Sequence, residues 1–186
     1  MKKIGVLGIQ GSVEEHVDMI GGLECEAVIV KDTETLENVD ALIIPGGEST
    51  TIGLLLEKTG LDKAIVKRAQ AGMPVWGTCA GAILLAKELR GQQAKTLGLM
   101  NIAIERNAYG RQIDSFETEL EFNGKEIPAI FIRAPKISDK GPNVEILALD
   151  GSEIVGAKEG KLMVTTFHPE LSGDSSVHEY FASMVD

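Results

Sequence analysis

Pro74-Val75-Trp76-Gly77-Thr78-Cys79-Ala80-Gly81-Ala82-Ile83-Leu84-Leu85 joins a short apolar run to a second one through a cysteine with glycine two residues before and two after it. Pro74–Trp76 reads as a strand, and the segment beginning near Ala80 reads as an apolar helix. A strand that turns directly into a helix belongs to a sheet covered by helices. The same alternation runs upstream. Lys2–Leu7 reads as a strand, Ser12 as the cap of a helix over about Val13–Ile20, and Ala27–Val30 and Ala41–Ile44 as further strands. Helices follow at Thr50–Lys58 and Leu61–Ala71. Short apolar runs alternating with helices imply a mostly parallel sheet buried on both faces.

Downstream the pattern changes to strands and turns: Leu99–Ile104, Phe116–Phe122, Ile127–Ile132, Val144–Leu149, Ile154–Ala157 and Leu162–Thr166. Some of these should pair antiparallel and extend a mixed sheet, and Val177–Val185 closes as a helix. There is no repeat, low-complexity tract or linker, so the reading is one α/β domain of three layers over residues 1–186. A chain of 186 residues suits one such core. Hydrophobic residues at 44% and charged residues at 25% exclude disorder as the main state. A net charge of −10 makes nucleic acid a poor partner, because phosphate contacts need clustered Lys and Arg. No apolar run approaches the roughly 20 residues that cross a bilayer. Cys25 and Cys79 are expected as free thiols in a cytoplasmic protein.

In open α/β sheets, ligands bind beyond the carboxyl ends of the strands. Gly8-Ile9-Gln10-Gly11, Pro45-Gly46-Gly47-Glu48-Ser49, Gly77-Thr78-Cys79-Ala80-Gly81 and Phe167-His168-Pro169-Glu170 therefore converge on one edge. Gly77 to Gly81 is the cysteine version of the G-x-S-x-G nucleophile elbow, whose sharp turn crowds its flanking residues. The turn aims the sulfur outward, the helix N-terminus beneath favours thiolate, and the Ala80 N–H points where an oxyanion would form. A buried structural cysteine is the commoner fate of a free Cys. Both glycines and the strand–helix context favour the nucleophile here. His168-Pro169-Glu170 supplies a base and its orienter, on the argument that residues i and i+2 of an extended segment share a face. A solvated loop pair and a metal pair are the alternatives. Three histidines without C-x-x-C or H-x-x-x-H spacing make a metal site weak, and none is expected.

Gly46-Gly47 could be only a turn, or could bring a backbone N–H to the substrate as a second oxyanion donor. Gly5-x-x-Gly8-x-x-Gly11 with Asp32 has the wrong spacing for a dinucleotide fingerprint and is rejected. Arg106 and Arg133 follow apolar strands, where a guanidinium could hold a carboxylate; surface ion pairing is the ordinary alternative. His16 and His178 fall in helical segments and are expected as surface or capping residues, and Cys25 as structural.

At these residues the sequence resembles the class I (triad) glutamine amidotransferases, and more narrowly the glutaminase subunits of pyridoxal 5′-phosphate synthase. The resemblance is carried by Gly5 to Gly11 with Glu15-His16, Pro45-Gly46-Gly47-Glu48-Ser49-Thr50-Thr51 and Trp76 to Gly81. It continues through Arg106-Asn107-Ala108-Tyr109-Gly110-Arg111-Gln112 with Ser115-Phe116-Glu117, Phe131-Ile132-Arg133-Ala134-Pro135, and Thr166 to Leu171. The resemblance implies a flavodoxin-like three-layer α/β/α sandwich and hydrolysis of L-glutamine to glutamate and ammonia, with no cofactor. It implies Cys79, His168 and Glu170 as the triad, and Gly47, Glu48, Ser49, Arg106, Ile132 and Arg133 as glutamine-binding positions, with Gly47 and Ala80 as oxyanion donors. The ammonia would pass to a synthase subunit in a hetero-oligomeric complex, with no nucleic acid or membrane partner. Two rivals stay open: a glutaminase serving another synthase, and a non-catalytic module on the same fold.

Overall fold

The computed structural model describes residues 1–91, 95–106 and 115–185. Five parallel strands form the centre: β1 (Lys2–Leu7), β2 (Cys25–Val30), β3 (Ala41–Ile44), β4 (Val75–Thr78) and β12 (Leu162–Thr165). They lie in the order β2-β1-β3-β4-β12. The order 2-1-3-4-5 is that of flavodoxin, with β12 in the fifth place, so the sequence expectation of a flavodoxin-like sandwich holds. β3 runs in register with both neighbours, Ile4 opposite Ala41 and Ile43 opposite Trp76.

Both faces of this centre are covered, which explains why its strands read as continuous apolar runs. Leu42, Ile44, Val75 and Val164 point to one face, and Ala41, Ile43, Trp76 and Met163 to the other. The first face packs under α2 (Thr33–Glu37), α3 (Ser49–Thr59), α4 (Leu61–Gln70) and α5 (Ala80–Leu85), which contribute Leu36, Ile52, Ile65 and Leu84. The second packs under α1 (Val13–Gly21) and α6 (Ser176–Ser183), through Ile20 and Phe181. Each such fully buried side chain contributes about 1.5–3 kcal/mol of hydrophobic stabilisation.

Beyond β12 the described pairings are antiparallel, except that β5 and β6 run parallel. β11 (Glu153–Glu159), β10 (Glu145–Asp150), β7 (Ser115–Phe122) and β8 (Lys125–Ile132) continue it, while β9 (Lys136–Lys140), β6 (Met100–Glu105) and β5 (Ala86–Arg90) branch from β11. Three elements away from the His168 turn were not expected. Asp32 caps α2 by accepting the Thr35 N–H at 2.7 Å, so it belongs to a helix start. The apolar helix ends at Leu85, and β5 takes over from Ala86 to pair with β6. β9 is held by β6, with Ile137 opposite Ile104. Ser12 stands at the N-cap position of α1 but makes no side-chain cap; its N–H donates to Gly46 O at 3.0 Å instead. No described helix is long and apolar enough to cross a membrane.

The start of α5 sits hard against the sheet. A Cβ at Gly81 would lie 2.0 Å from Ile44 O, and one at Gly77 would lie 2.4 Å from the Gly81 carbonyl. Gly81→Ala is therefore expected to destabilise by about 1–3 kcal/mol or more, because backbone must move to admit the methyl. Gly21→Ala, with open space around it, is expected to be neutral or to stabilise by up to about 1 kcal/mol. Urea unfolding of both variants checks the contrast, and a Gly81→Ala protein as stable as the parent would contradict it.

Candidate active site

The Gly81 contact forces the residue between β4 and α5 into a backbone conformation that side chains rarely adopt: Cys79 has φ 47° and ψ −101°. This is the strain of a nucleophile elbow, held because the surrounding strand and helix overdetermine it. The Cys79 N–H donates to Thr165 O at 2.8 Å, tying the elbow to the end of β12. Ala80 is the first residue of α5, so its N–H is among those a helix start leaves without an intrahelical acceptor.

β12 leads within three residues to His168, whose N–H donates to Ile130 O at 2.8 Å, fixing it against β8. Its Nδ1 donates to Glu170 Oε1 at 2.7 Å. Both side chains are buried, His168 at 6% and Glu170 at 5% exposure, which removes the solvated-loop reading. The pairing arises differently from the expectation. Pro169–Leu171 forms a 3₁₀ turn with His168 at its N-cap and Pro169 at its first position. Glu170 therefore comes back to His168 by the turn of a helix start rather than along an extended segment. Gly46 makes room for the ring, since a Cβ there would lie 2.6 Å from His168 Cε1. Burial disfavours the charged imidazole, but its hydrogen bonds to the Cys79 sulfur and to Glu170 outweigh that and raise its pKa above the usual 6.5.

A cleft of about 550 Å³ opens over these residues. Gly47, Glu48, Ser49, Cys79, Ala80, Arg106, Ile132, Arg133 and His168 all line it, so the residues named from sequence meet there, and Glu170 stands behind His168. Two of them have occupations that sequence did not indicate. Glu48 is the N-cap of α3, accepting the Thr50 N–H at 3.1 Å and both the N–H and hydroxyl of Thr51 at 2.7 Å. The Thr51 bonds lead in pulling its pKa down to about 2, against a smaller opposing effect of burial. Arg106 donates to Glu48 Oε1 and Thr50 Oγ1, each at 3.2 Å, and so braces that cap. Gln10 Oε1 accepts the Glu48 N–H at 2.9 Å. Arg133 is exposed, lines the cleft with φ 42°, and makes no ion pair among the described residues. Asn107-Ala108-Tyr109-Gly110-Arg111-Gln112 lies outside the described residues.

The expectation for His16 and His178 is overturned. They are 0% and 1% exposed, and His16 Nδ1 lies 2.9 Å from His178 Nε2. Trp76 packs edge-on against both rings, with centroids 5.5 and 4.8 Å away. The signal was present: Val13, His16, Val17 and Ile20 follow helical spacing, so His16 lies on the core stripe of α1. Cys25 is half-buried at the start of β2 and unbridged, packed on the second core face.

Strand order, cysteine elbow and His-Pro-Glu turn together define a class I, triad-type glutamine amidotransferase. The SNO glutamine amidotransferase family matches residues 6–186, and this chain belongs to that family. It is 52% identical over 186 residues to the pyridoxal 5′-phosphate synthase subunit PdxT of Thermotoga petrophila, covering 98% of this chain and 99% of that one. The subunit of the same name from Thermoplasma acidophilum is 50% identical over 188 residues, covering 98% and 92%. A crystal structure of a glutamine amidotransferase superposes with a TM-score of 0.94 at 44% identity, covering 97% of each chain.

Burial lowers the pKa of His178 to about 4, and burial followed by repulsion from His178 and His168 lowers that of His16 well below 6.5. Below about pH 6.5 the unfolded chain protonates both while the folded chain does not, so stability is lost as the pH is lowered, by up to about 1.4 kcal/mol per unit for each group. His168, raised rather than lowered, is protonated in both states in that window and drops out. His178→Phe is expected to flatten the pH dependence of unfolding free energy between about pH 6.5 and 4 by one proton. An unchanged slope in urea titrations would contradict the neutral pair.

Proposed function

We propose that this chain is a single glutaminase domain, residues 1–186, of a cytoplasmic pyridoxal 5′-phosphate synthase. It hydrolyses L-glutamine and delivers the ammonia to a synthase subunit that builds pyridoxal 5′-phosphate from ribose 5-phosphate and glyceraldehyde 3-phosphate. The observation that carries the reading is the strained Cys79 within hydrogen-bond reach of a buried His168–Glu170 pair at the floor of one cleft. The near full-length likeness to PdxT subunits supports the choice of partner.

In this reading the Cys79 thiolate attacks the side-chain carbonyl carbon of glutamine. The oxyanion is met by the backbone N–H of Ala80, and by that of Gly47 once its peptide turns inward; one such donor is typically worth about 10²–10³ in rate. His168 gives its proton to the departing amide nitrogen, the C–N bond breaks, and ammonia leaves a γ-glutamyl thioester. The now neutral His168 takes a proton from water, the hydroxide adds to the thioester carbon, and the thiolate leaves with glutamate released. Glu170 keeps the imidazole oriented and balances its charge. Arg133 is the cation for the substrate's α-carboxylate, while Arg106 and Glu48 shape the wall at the start of α3.

Cys79→Ala is expected to abolish glutamine hydrolysis with the fold retained, and the complex carrying it is expected still to make product from ammonium salts. Ammonia release from glutamine by the purified variant would refute the nucleophile. The Gly46–Gly47 peptide is held by the Ser12 N–H bonded to Gly46 O at 3.0 Å, which ties its orientation to the β1 loop. The isolated chain is accordingly expected to turn over slowly until the partner shifts that loop. Equal kcat at saturating glutamine with and without the synthase subunit would contradict this coupling.

A further inference from the structure

Glu170 brings two oxygens into the protein interior, and the pairing with His168 uses one. Oε2 is buried and has no hydrogen bond among the described residues. Facing it at 3.6 Å is His16 Nε2, which also lies 3.3 Å from Thr78 Oγ1. The other nitrogen of His16, Nδ1, is 2.9 Å from His178 Nε2, and His178 Nδ1 is buried with no hydrogen bond among the described residues. The side chains thus run His178, His16, Glu170, His168, Cys79 in a single line from α6 through α1 to the elbow.

These contacts fix where the protons sit. Burial keeps both His16 and His178 neutral near pH 7, so each of the two rings carries one N–H. With its proton on Nδ1, His16 would donate to His178 Nε2. His178 would then hold an N–H on Nδ1 with no acceptor, and His16 would turn a bare lone pair toward the carboxylate. The opposite assignment has neither fault. His178 Nε2–H donates to His16 Nδ1, His16 Nε2–H faces Thr78 Oγ1 and Glu170 Oε2, and only an acceptor, His178 Nδ1, is left over. Buried orphan acceptors are tolerated more often than orphan donors.

We infer that His16 is a positioning residue, whose neutral Nε2–H holds the second oxygen of Glu170 and keeps the carboxylate turned onto His168. The inference rests on the triad reading of Cys79, His168 and Glu170. At 3.6 Å the contact is not yet a hydrogen bond; such contacts shorten as charge develops in the occupied site. Neutrality matters to the role. A cation behind Glu170 would compete with the His168 imidazolium for the same carboxylate, whereas a neutral N–H orients it and leaves the charge in place. His178 acts one step further out, by setting the tautomer of His16.

Imidazole ¹⁵N NMR of the full chain near pH 7 is expected to show His16 protonated on Nε2 and bare on Nδ1. The Nδ1–H tautomer, or a doubly protonated ring, would overturn the inference, and this measurement needs no variant to fold. In glutaminase assays with the synthase subunit, His16→Phe keeps a ring against Trp76 but offers no donor. Its kcat is expected to fall about tenfold or more with KM for glutamine within about twofold, as for outer partners that orient an active group. His16→Gln, whose amide nitrogen reaches the Nε2 position, is expected to recover most of the loss. An unimpaired His16→Phe enzyme, or equal loss in both variants in step with lowered Tm, would overturn it. If the parent protein hydrolyses no glutamine with its partner, the triad reading fails, while the NMR tautomer still decides the network.

Discussion

A glycine with no room for one more carbon holds this site together. The contact of Gly81 with the Ile44 carbonyl lets α5 begin directly on β3, and only that placement gives Cys79 its left-handed backbone. The rest follows from strand order. β12 lies beside β4, so the Cys79 N–H reaches Thr165 O, and the chain leaving β12 arrives at the elbow with His168. The flavodoxin-like order thereby brings together residues 79 and 168, far apart in sequence, without a long loop.

The charges are arranged in layers. At the cleft, Glu48 is committed to the start of α3 and to Arg106, which leaves Arg133 as the exposed guanidinium among the described cleft residues. At the floor, His168 is kept positive-prone by a carboxylate and a sulfur. Behind the floor, two histidines held neutral by burial supply N–H groups without adding charge. An interior with one anionic and one cationic partner avoids the desolvation cost of further ions.

The parallel strands, the elbow and the cleft residues were legible because each depends on local chemistry. Ala41–Ile44 is bounded by turn residues, and Gly77 and Gly81 mark the tight turn themselves. What sequence hid depends on distant partners. Nothing local marks where the helix from Ala80 ends, and Ala86–Arg90 becomes a strand because β6 offers it a ladder. The spacing of Val13, Val17 and Ile20 puts His16 on the core stripe of α1, but its partner His178, 162 positions away, meets it only in the fold. The His168–Glu170 pair was reached for the wrong reason, since a Pro-initiated 3₁₀ turn and an extended segment can both bring i and i+2 together. Glu48 shows the converse: it lines the cleft, but its side chain serves a helix cap that only the structure displays.

The claim on which the account rests is that the strained Cys79 sulfur becomes covalently bonded to the substrate. Rapid acid quench of the chain turning over glutamine with its synthase partner, followed by peptide mass spectrometry, tests it directly. The account predicts a γ-glutamyl adduct on the peptide bearing Cys79, formed within the first turnover and absent from the peptide bearing Cys25. Steady ammonia release with no adduct on Cys79, or an adduct on another residue, would contradict it.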